Sequence, residues 1–359
     1  MVQVVLVGAG SHSTTQHAPS LQRYVAEHPG RARLAAVCDL DPARAERAAA
    51  QFGFARTYTR VADLLAAERV DAAVLVMPIP AILPMLAPFL ERRIPIEIEK
   101  PMGTGIGQER AIAAQARAAG SPVMVSFNRR FTPGLRLALE WARAQGPVRC
   151  ARGAMLRSGR VEPDFIWGTG IHLLDALCGA LGPLTIPQGA GATVEGPGGC
   201  WRAVRLDGPN GVAVTVEILP ACGRTEECYR FAGDGYCVDV WADAAHSWRV
   251  EGYRGGKRDL FREAAPDEPG FVSGGIYHET AAFLDAVAAG RPLPGPTPDE
   301  AMHGTSWPRR CKRCSAAATL SSAAWGAGSP VPAMSLLVAG RESVRPCVRA
   351  PGVDAVARA

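Results

Sequence analysis

The chain has 359 residues, 48% hydrophobic and 20% charged, which is enough apolar matter for two buried cores and excludes a disordered or disulfide-stapled protein. It has no basic leader and no run of about 18 apolar residues, so export and a membrane span are not expected and a cytoplasmic setting is; the ten cysteines are scattered and read as free thiols. The net charge of +5 does not point to nucleic acid, because residues 304–359 hold eight basic and two acidic side chains and the body before them is nearly neutral.

Along residues 1–127 short β-branched runs alternate with longer amphipathic stretches, the pattern of βαβ units around a parallel sheet. Strands are predicted at 3–7, 34–38, 72–77, 94–98 and 123–126, and helices at 43–51, 84–91 and 108–119. The predicted class is α/β, a doubly wound Rossmann sheet followed by a second α+β domain. That second domain, 128–302, opens with a helix at 135–144, a strand-like run at 148–156 and a helix at 171–181. Asn210-Gly211 then precedes an alternating run at 212–219, and Asp234-Gly235 separates runs at 228–231 and 236–241, which are hairpin signals of an open, mostly antiparallel sheet. A helix at 277–289 stops at Gly290, with Pro292 and Pro294 beyond it.

Residues 303–359 are rich in Arg, Ser, Ala, Pro, Cys and Trp without periodicity. Two origins stay open for this segment: a natural disordered tail, or a frameshift that replaces an amphipathic helix from about Thr305 onward. Cys311 and Cys314 form a lone C-x-x-C with no histidine partners at finger spacing, so no metal is expected.

Chemistry first shows in VVLVGAGS, a buried strand running into a turn where Gly8 and Gly10 remove side chains that would block a pyrophosphate. The next helix then offers free N–H groups to the phosphates. Ser13 stands where a third glycine is usual. The second strand ends at Cys38-Asp39, where a carboxylate either bonds the adenosine ribose hydroxyls and repels a 2′-phosphate, or caps the helix before Pro42. Glu99-Lys100-Pro101 follows the fourth predicted strand directly, which puts Lys100 at its carboxyl end, where ligands bind in such folds, and Pro101 stiffens its turn. His172 and Asp175 lie three apart and share one helical face.

Together VVLVGAGS, VCDLDPARA, DAAVLVMPIPAI, Glu99-Lys100-Pro101, VSFNRRF and GTGIHLLDALCGALG resemble the Gfo/Idh/MocA family over residues 2–302. The resemblance implies an NAD(P)-dependent oxidoreductase acting on a secondary alcohol or ketone of a sugar, cyclitol or related polyol. It implies NAD as cofactor, with NADP possible, held by Gly8, Gly10, Ser11, His12, Ser13, Asp39, Pro78, Glu99 and Lys100. Lys100 and His172 are the implied catalytic pair, and the Lys-Pro bond is implied to be cis. Asp175, Arg130, Asn128 and Tyr277 are candidates for substrate binding, although interdomain ion pairs explain Arg129 and Arg130 equally well. The resemblance further implies a homodimer or homotetramer through the second domain's sheet. In one respect the chain departs from the pattern: Gly168 stands where many relatives carry an aspartate, and Asp164 is the nearest substitute. A non-catalytic ligand sensor and an inactive frameshifted copy are the rival readings.

Overall fold

The computed structural model describes residues 1–305 apart from 161, 163–164, 188–191 and 197–198, and these residues fall within one compact unit. Asp164, Cys311, Cys314 and the segment from 306 onward therefore lie outside the described residues.

Six parallel strands form the first sheet: β1 Val2–Val7, β2 Ala32–Cys38, β3 Arg56–Tyr58, β4 Ala72–Leu75, β5 Ile96–Glu99 and β6 Val123–Ser126, in the order β3-β2-β1-β4-β5-β6. The fully buried Val4, Val5 and Leu6 make β1 the centre of the sheet, as its continuous apolar run dictates. Helices α1 Ala18–Glu27, α2 Pro42–Phe52, α3 Val61–Ala67, α4 Ile79–Glu91 and α5 Ile106–Ala119 connect the strands and cover the sheet. Two differences from the sequence reading have local causes. Strand β3 was not expected because it is three half-polar residues at the sheet edge, too short to show alternation. Helix α4 starts at Ile79 rather than near 84, because Pro80 occupies its first turn and Pro84 and Pro88 are tolerated inside it. The strand order reverses between β1 and β4, which opens a crevice at their carboxyl ends.

The second sheet has eight strands: β7 Cys150–Leu156, β8 Ala192–Gly196, β9 Gly199–Asp207, β10 Ala213–Leu219, β11 Glu226–Gly233, β12 Tyr236–Asp243, β13 Trp248–Arg254 and β14 Lys257–Glu263. Their order is β14-β13-β12-β11-β7-β10-β9-β8, with every pairing antiparallel except β7 with β10. The β11–β12 hairpin turns at Asp234-Gly235, where Gly235 takes the left-handed φ of +78° that the turn demands. Helices α6 Pro133–Gln145 and α7 Ile171–Leu181 pack on one face, where Phe231, Val238, Leu173 and Leu177 meet. The short α8 Gly270–Ser273 leads into α9 Ile276–Ala289, which ends at Gly290 as expected and returns to α1. A last helix, α10 Pro298–Thr305, lies against α5 and α7 and buries Ala301 in the first core. Among the described residues no helix is long and apolar enough to cross a membrane, and Cys38, Cys150, Cys178, Cys222, Cys228 and Cys237 are free thiols.

Candidate active site

At the end of β1 the two glycines divide their work. Gly8 has a φ of +96°, and a Cβ there would stand 1.9 Å from the Val76 carbonyl oxygen, so it is glycine because β1 and β4 approach too closely for a side chain. At Gly10 a Cβ would meet nothing within 4 Å, which leaves the loop open toward the crevice. The helix beyond makes its first bond from Thr14 N–H to Gly10 O at 3.0 Å, so the amides before Thr14 are left to the loop. Ser11 and His12 are exposed at this turn, whereas Ser13 is fully buried. Pro78 begins α4 on the opposite lip.

Asp39 is not the helix cap. That role belongs to Asp41, whose carboxylate accepts from the Ala43 and Arg44 amides. The Asp39 carboxylate instead accepts from Ala9 N–H at 2.7 Å and from Asp41 N–H at 2.9 Å, which fixes it between the glycine loop and the end of β2. An open cradle at Gly10, unspent amides and a pinned carboxylate fit the pyrophosphate and ribose of a dinucleotide.

The end of β5 carries the densest polar group in the first domain. The Lys100-Pro101 bond is cis. Glu99 accepts from the Lys100 amide at 3.0 Å and pairs with His12 Nε2 at 2.9 Å. Burial pushes its carboxyl up, but the His12 hydrogen bond and the Lys100 charge outweigh this and hold it at about 2. The Lys100 Nζ donates to the Gly168 carbonyl at 3.0 Å, and burial lowers its pKa. Beneath lie His17, pushed down to about 4 by burial, and Glu97, pushed up to about 8 by burial and then by the Glu99 charge. The donor atoms of His12, His17 and Glu99 lie within 4.8 Å of one another, the donor types of a two-histidine, one-carboxylate metal site that the sequence reading did not anticipate.

Facing this corner is a cavity of about 360 Å³, lined by His12, Glu99 and Asn128 on one side and by Arg129, Arg157, Thr169, His172, Glu227 and His246 on the other. His172 occupies the first turn of α7, buried, its ring edge-on to Phe127 with centroids 5.9 Å apart and its Nδ1 without a hydrogen-bond partner among the described residues. Burial, then the charges of Lys100, Arg129 and Arg157, drive its pKa well below the usual histidine value, so the imidazole is neutral and able to accept a proton.

Four candidates for substrate contact fare differently. Asn128 lines the cavity, with its Nδ2 donating to Gly274 O at 2.7 Å. Arg130 and Asp175 engage each other through two bonds of 2.7 Å, and Arg130 lines a separate surface pocket beside α7. This ion pair ties α7 to the 128–131 turn and places Arg130 and Asp175 outside the lining of the cavity that holds His172. Tyr277 is also removed from the cavity, since its hydroxyl donates to Glu27 on α1.

The sequence reading missed Arg157 and Glu227. Arg129 grips the Glu227 carboxylate through Nε at 3.0 Å and Nη2 at 2.7 Å, and Arg157 donates to the same carboxylate. The available signal was parity: Tyr229 and Phe231 point inward on β11, so Glu227 is a carboxylate on the core-facing side of a strand.

Residues 2–127 match the family model described as an oxidoreductase family with an NAD-binding Rossmann fold. An inositol 2-dehydrogenase of Saccharopolyspora erythraea is 30% identical over 305 residues, covering 80% of this chain and 86% of the relative. A second inositol 2-dehydrogenase of that organism is 28% identical, covering 84% and 88%. Among solved structures, a Gfo/Idh/MocA family oxidoreductase from Vibrio cholerae superposes with a TM-score of 0.74 at 18% identity, over 89% of this chain and 100% of that one. The gentamicin-biosynthesis protein GenD2, solved with NAD, superposes with a TM-score of 0.67 at 23% identity, over 88% and 94%. The structural matches establish a shared fold, and the extended sequence match goes further: this chain belongs to the Gfo/Idh/MocA family of oxidoreductases.

Proposed function

We propose that the protein transfers hydride between a nicotinamide cofactor and a secondary alcohol or ketone of a sugar, cyclitol or related polyol, with NAD preferred over NADP. The observation that carries the reading is a neutral, buried His172 that lines one cavity with Glu99, the last residue of β5, and feels the charge of Lys100, the next residue in the chain. Hydride exchange is the chemistry that a bound nicotinamide supplies there. Lys100 polarises the reacting oxygen and His172 takes or returns its proton. The aspartate that many relatives place at position 168 is absent, and the Gly168 carbonyl accepts from Lys100 in its stead, which holds the amine in place without neutralising it. Gly8, Gly10, Ser11, His12, Asp39 and Pro78 frame the dinucleotide groove, and Asn128 borders the substrate space. The inositol 2-dehydrogenase names of the relatives favour a cyclitol or sugar.

Lys100→Met and His172→Ala test the roles: each is expected to lower turnover with NAD and a polyol panel by about 10²-fold or more, with NADH binding intact. Unchanged turnover in both refutes the assignment. We also propose a homodimer or homotetramer through the outer face of the second sheet, where Trp241, Tyr253 and the pair Arg152–Glu217 are at least partly exposed and Arg230 covers the buried Asp239. Light scattering of wild type and Trp241→Asp checks this, with a monomeric mass for the wild type as the refuting result.

A further inference from the structure

We infer that the end of the cavity built by Arg129, Arg157 and Glu227 is an anion subsite, and that the substrate is a sugar or polyol bearing a carboxylate. The inference rests on the proposed reaction and adds the substrate's charge to it. Arg129 follows β6, Arg157 follows β7 and Glu227 lies on β11, so three separate segments bring two guanidiniums to one carboxylate at the cavity wall. Their side chains are only 11%, 9% and 5% exposed. Two cations on one anion leave a positive charge in excess, out of bulk water, where it is costly unless something neutralises it.

Among the described residues no other charge of the cavity makes an ion pair with the two guanidiniums. Glu99 is engaged by His12 and the Lys100 corner, and Arg160 pairs with Glu162. Asp243 is exposed at the rim, where it accepts from the Ala245 and Ser247 amides of its own turn. Donors remain at the triad. Arg129 uses Nε and Nη2 on Glu227, and its Nη1 has no protein partner among the described residues. Arg157 spends Nη1 on the Leu156 and Glu226 carbonyls and Nη2 on Glu227. The positive field reaches across the space: after burial, Arg129 and Arg157 both contribute to lowering His172 and His246. A neutral polyol would accept hydrogen bonds here and leave the charge standing. A carboxylate does both, and planar guanidinium donors match its two oxygens better than they match a lone hydroxyl.

The test is isothermal titration of the NADH-loaded full-length protein with matched ligands: D-glucose against D-glucuronate and D-glucose 6-phosphate, D-galactose against D-galacturonate, and myo-inositol against D-gluconate. At least one carboxylate is expected to bind tenfold or more tightly than its neutral partner. That preference should disappear in Arg157→Met, with folding checked by melting temperature, and persist in Arg157→Lys. If no carboxylate outbinds its neutral partner, the inference is overturned, and the wild-type comparison alone decides this. A sugar phosphate that binds tighter than the matching carboxylate overturns the carboxylate assignment in favour of phosphate. NAD reduction with the same panel separates the two claims. Carboxylate preference without any turnover supports the subsite and refutes the reaction, whereas turnover confined to neutral members upholds the reaction and overturns the subsite.

Discussion

Glu97 offers a direct measurement of what this active-site floor costs the fold. It is fully buried on β5, neither carboxyl oxygen has a hydrogen-bond partner among the described residues, and His17 Nδ1 is 3.7 Å away. Burial first, and the ionised Glu99 second, raise its pKa from 4.5 to about 8. A carboxyl whose pKa is raised on folding is protonated in the native state while the unfolded chain has already ionised. Its contribution is therefore fully present below pH 4.5 and lost as pH rises toward about 8. Within that window each pH unit costs about 1.4 kcal/mol, so between about pH 5.5 and 7.5 the loss is roughly 3 kcal/mol. Glu97→Gln replaces the protonated acid with a neutral group of the same shape and abolishes the loss. Urea unfolding of both proteins at the two pH values is the assay: wild type should lose about 3 kcal/mol relative to the variant on going to the higher pH. Taking the difference cancels His17 and His172, whose lowered values give stability that rises with pH. Parallel pH dependence in the two proteins would show that Glu97 is ionised in the native state and that the argument is wrong.

Wild type should bind NADH about tenfold or more tightly than NADPH, and Asp39→Asn should narrow that ratio in a fluorescence titration, because the charge that repels a 2′-phosphate is removed. Tighter NADPH binding by wild type would sink the assignment of Asp39. Gly168→Asp has room, since a Cβ there meets nothing within 4 Å, and should raise turnover or move its pH optimum by placing a carboxylate near Lys100; unaltered kinetics would show that the missing acid is irrelevant here. The two loop glycines should separate cleanly. Gly8→Ala collides with the Val76 carbonyl and is expected to cost on the order of 3 kcal/mol by thermal unfolding, whereas Gly10→Ala should leave stability within about 0.5 kcal/mol and weaken NADH binding. Equal losses of stability would contradict the division of roles.

Local chemistry is strong enough in this chain to determine the first domain from sequence. Continuous β-branched runs become central parallel strands because both faces are covered, and a glycine turn after the first strand with an acid after the second is the local pattern that a Rossmann fold presents. The position of Lys100 at a strand end was legible from the residues, whereas the role given to His172 came from the family resemblance and not from its spacing. Pairings between distant segments were not legible. Nothing in the spacing of Arg130 and Asp175 says that they satisfy each other rather than a substrate, because side-chain charge reveals a need for a partner and not its identity. Arg129, Arg157 and Glu227 come from three segments up to 98 residues apart, and only the docking of the second sheet against the first domain's edge brings them to one wall. Packing of α9 on the first domain buries Glu279 in the same way that β5 buries Glu97: burial raises both carboxyls, with the Glu99 charge second for Glu97 and the Glu97 charge second for Glu279. Sequence determines which groups a fold must place at its strand ends; desolvation and the choice of partner, which set what those groups can do, belong to the tertiary structure.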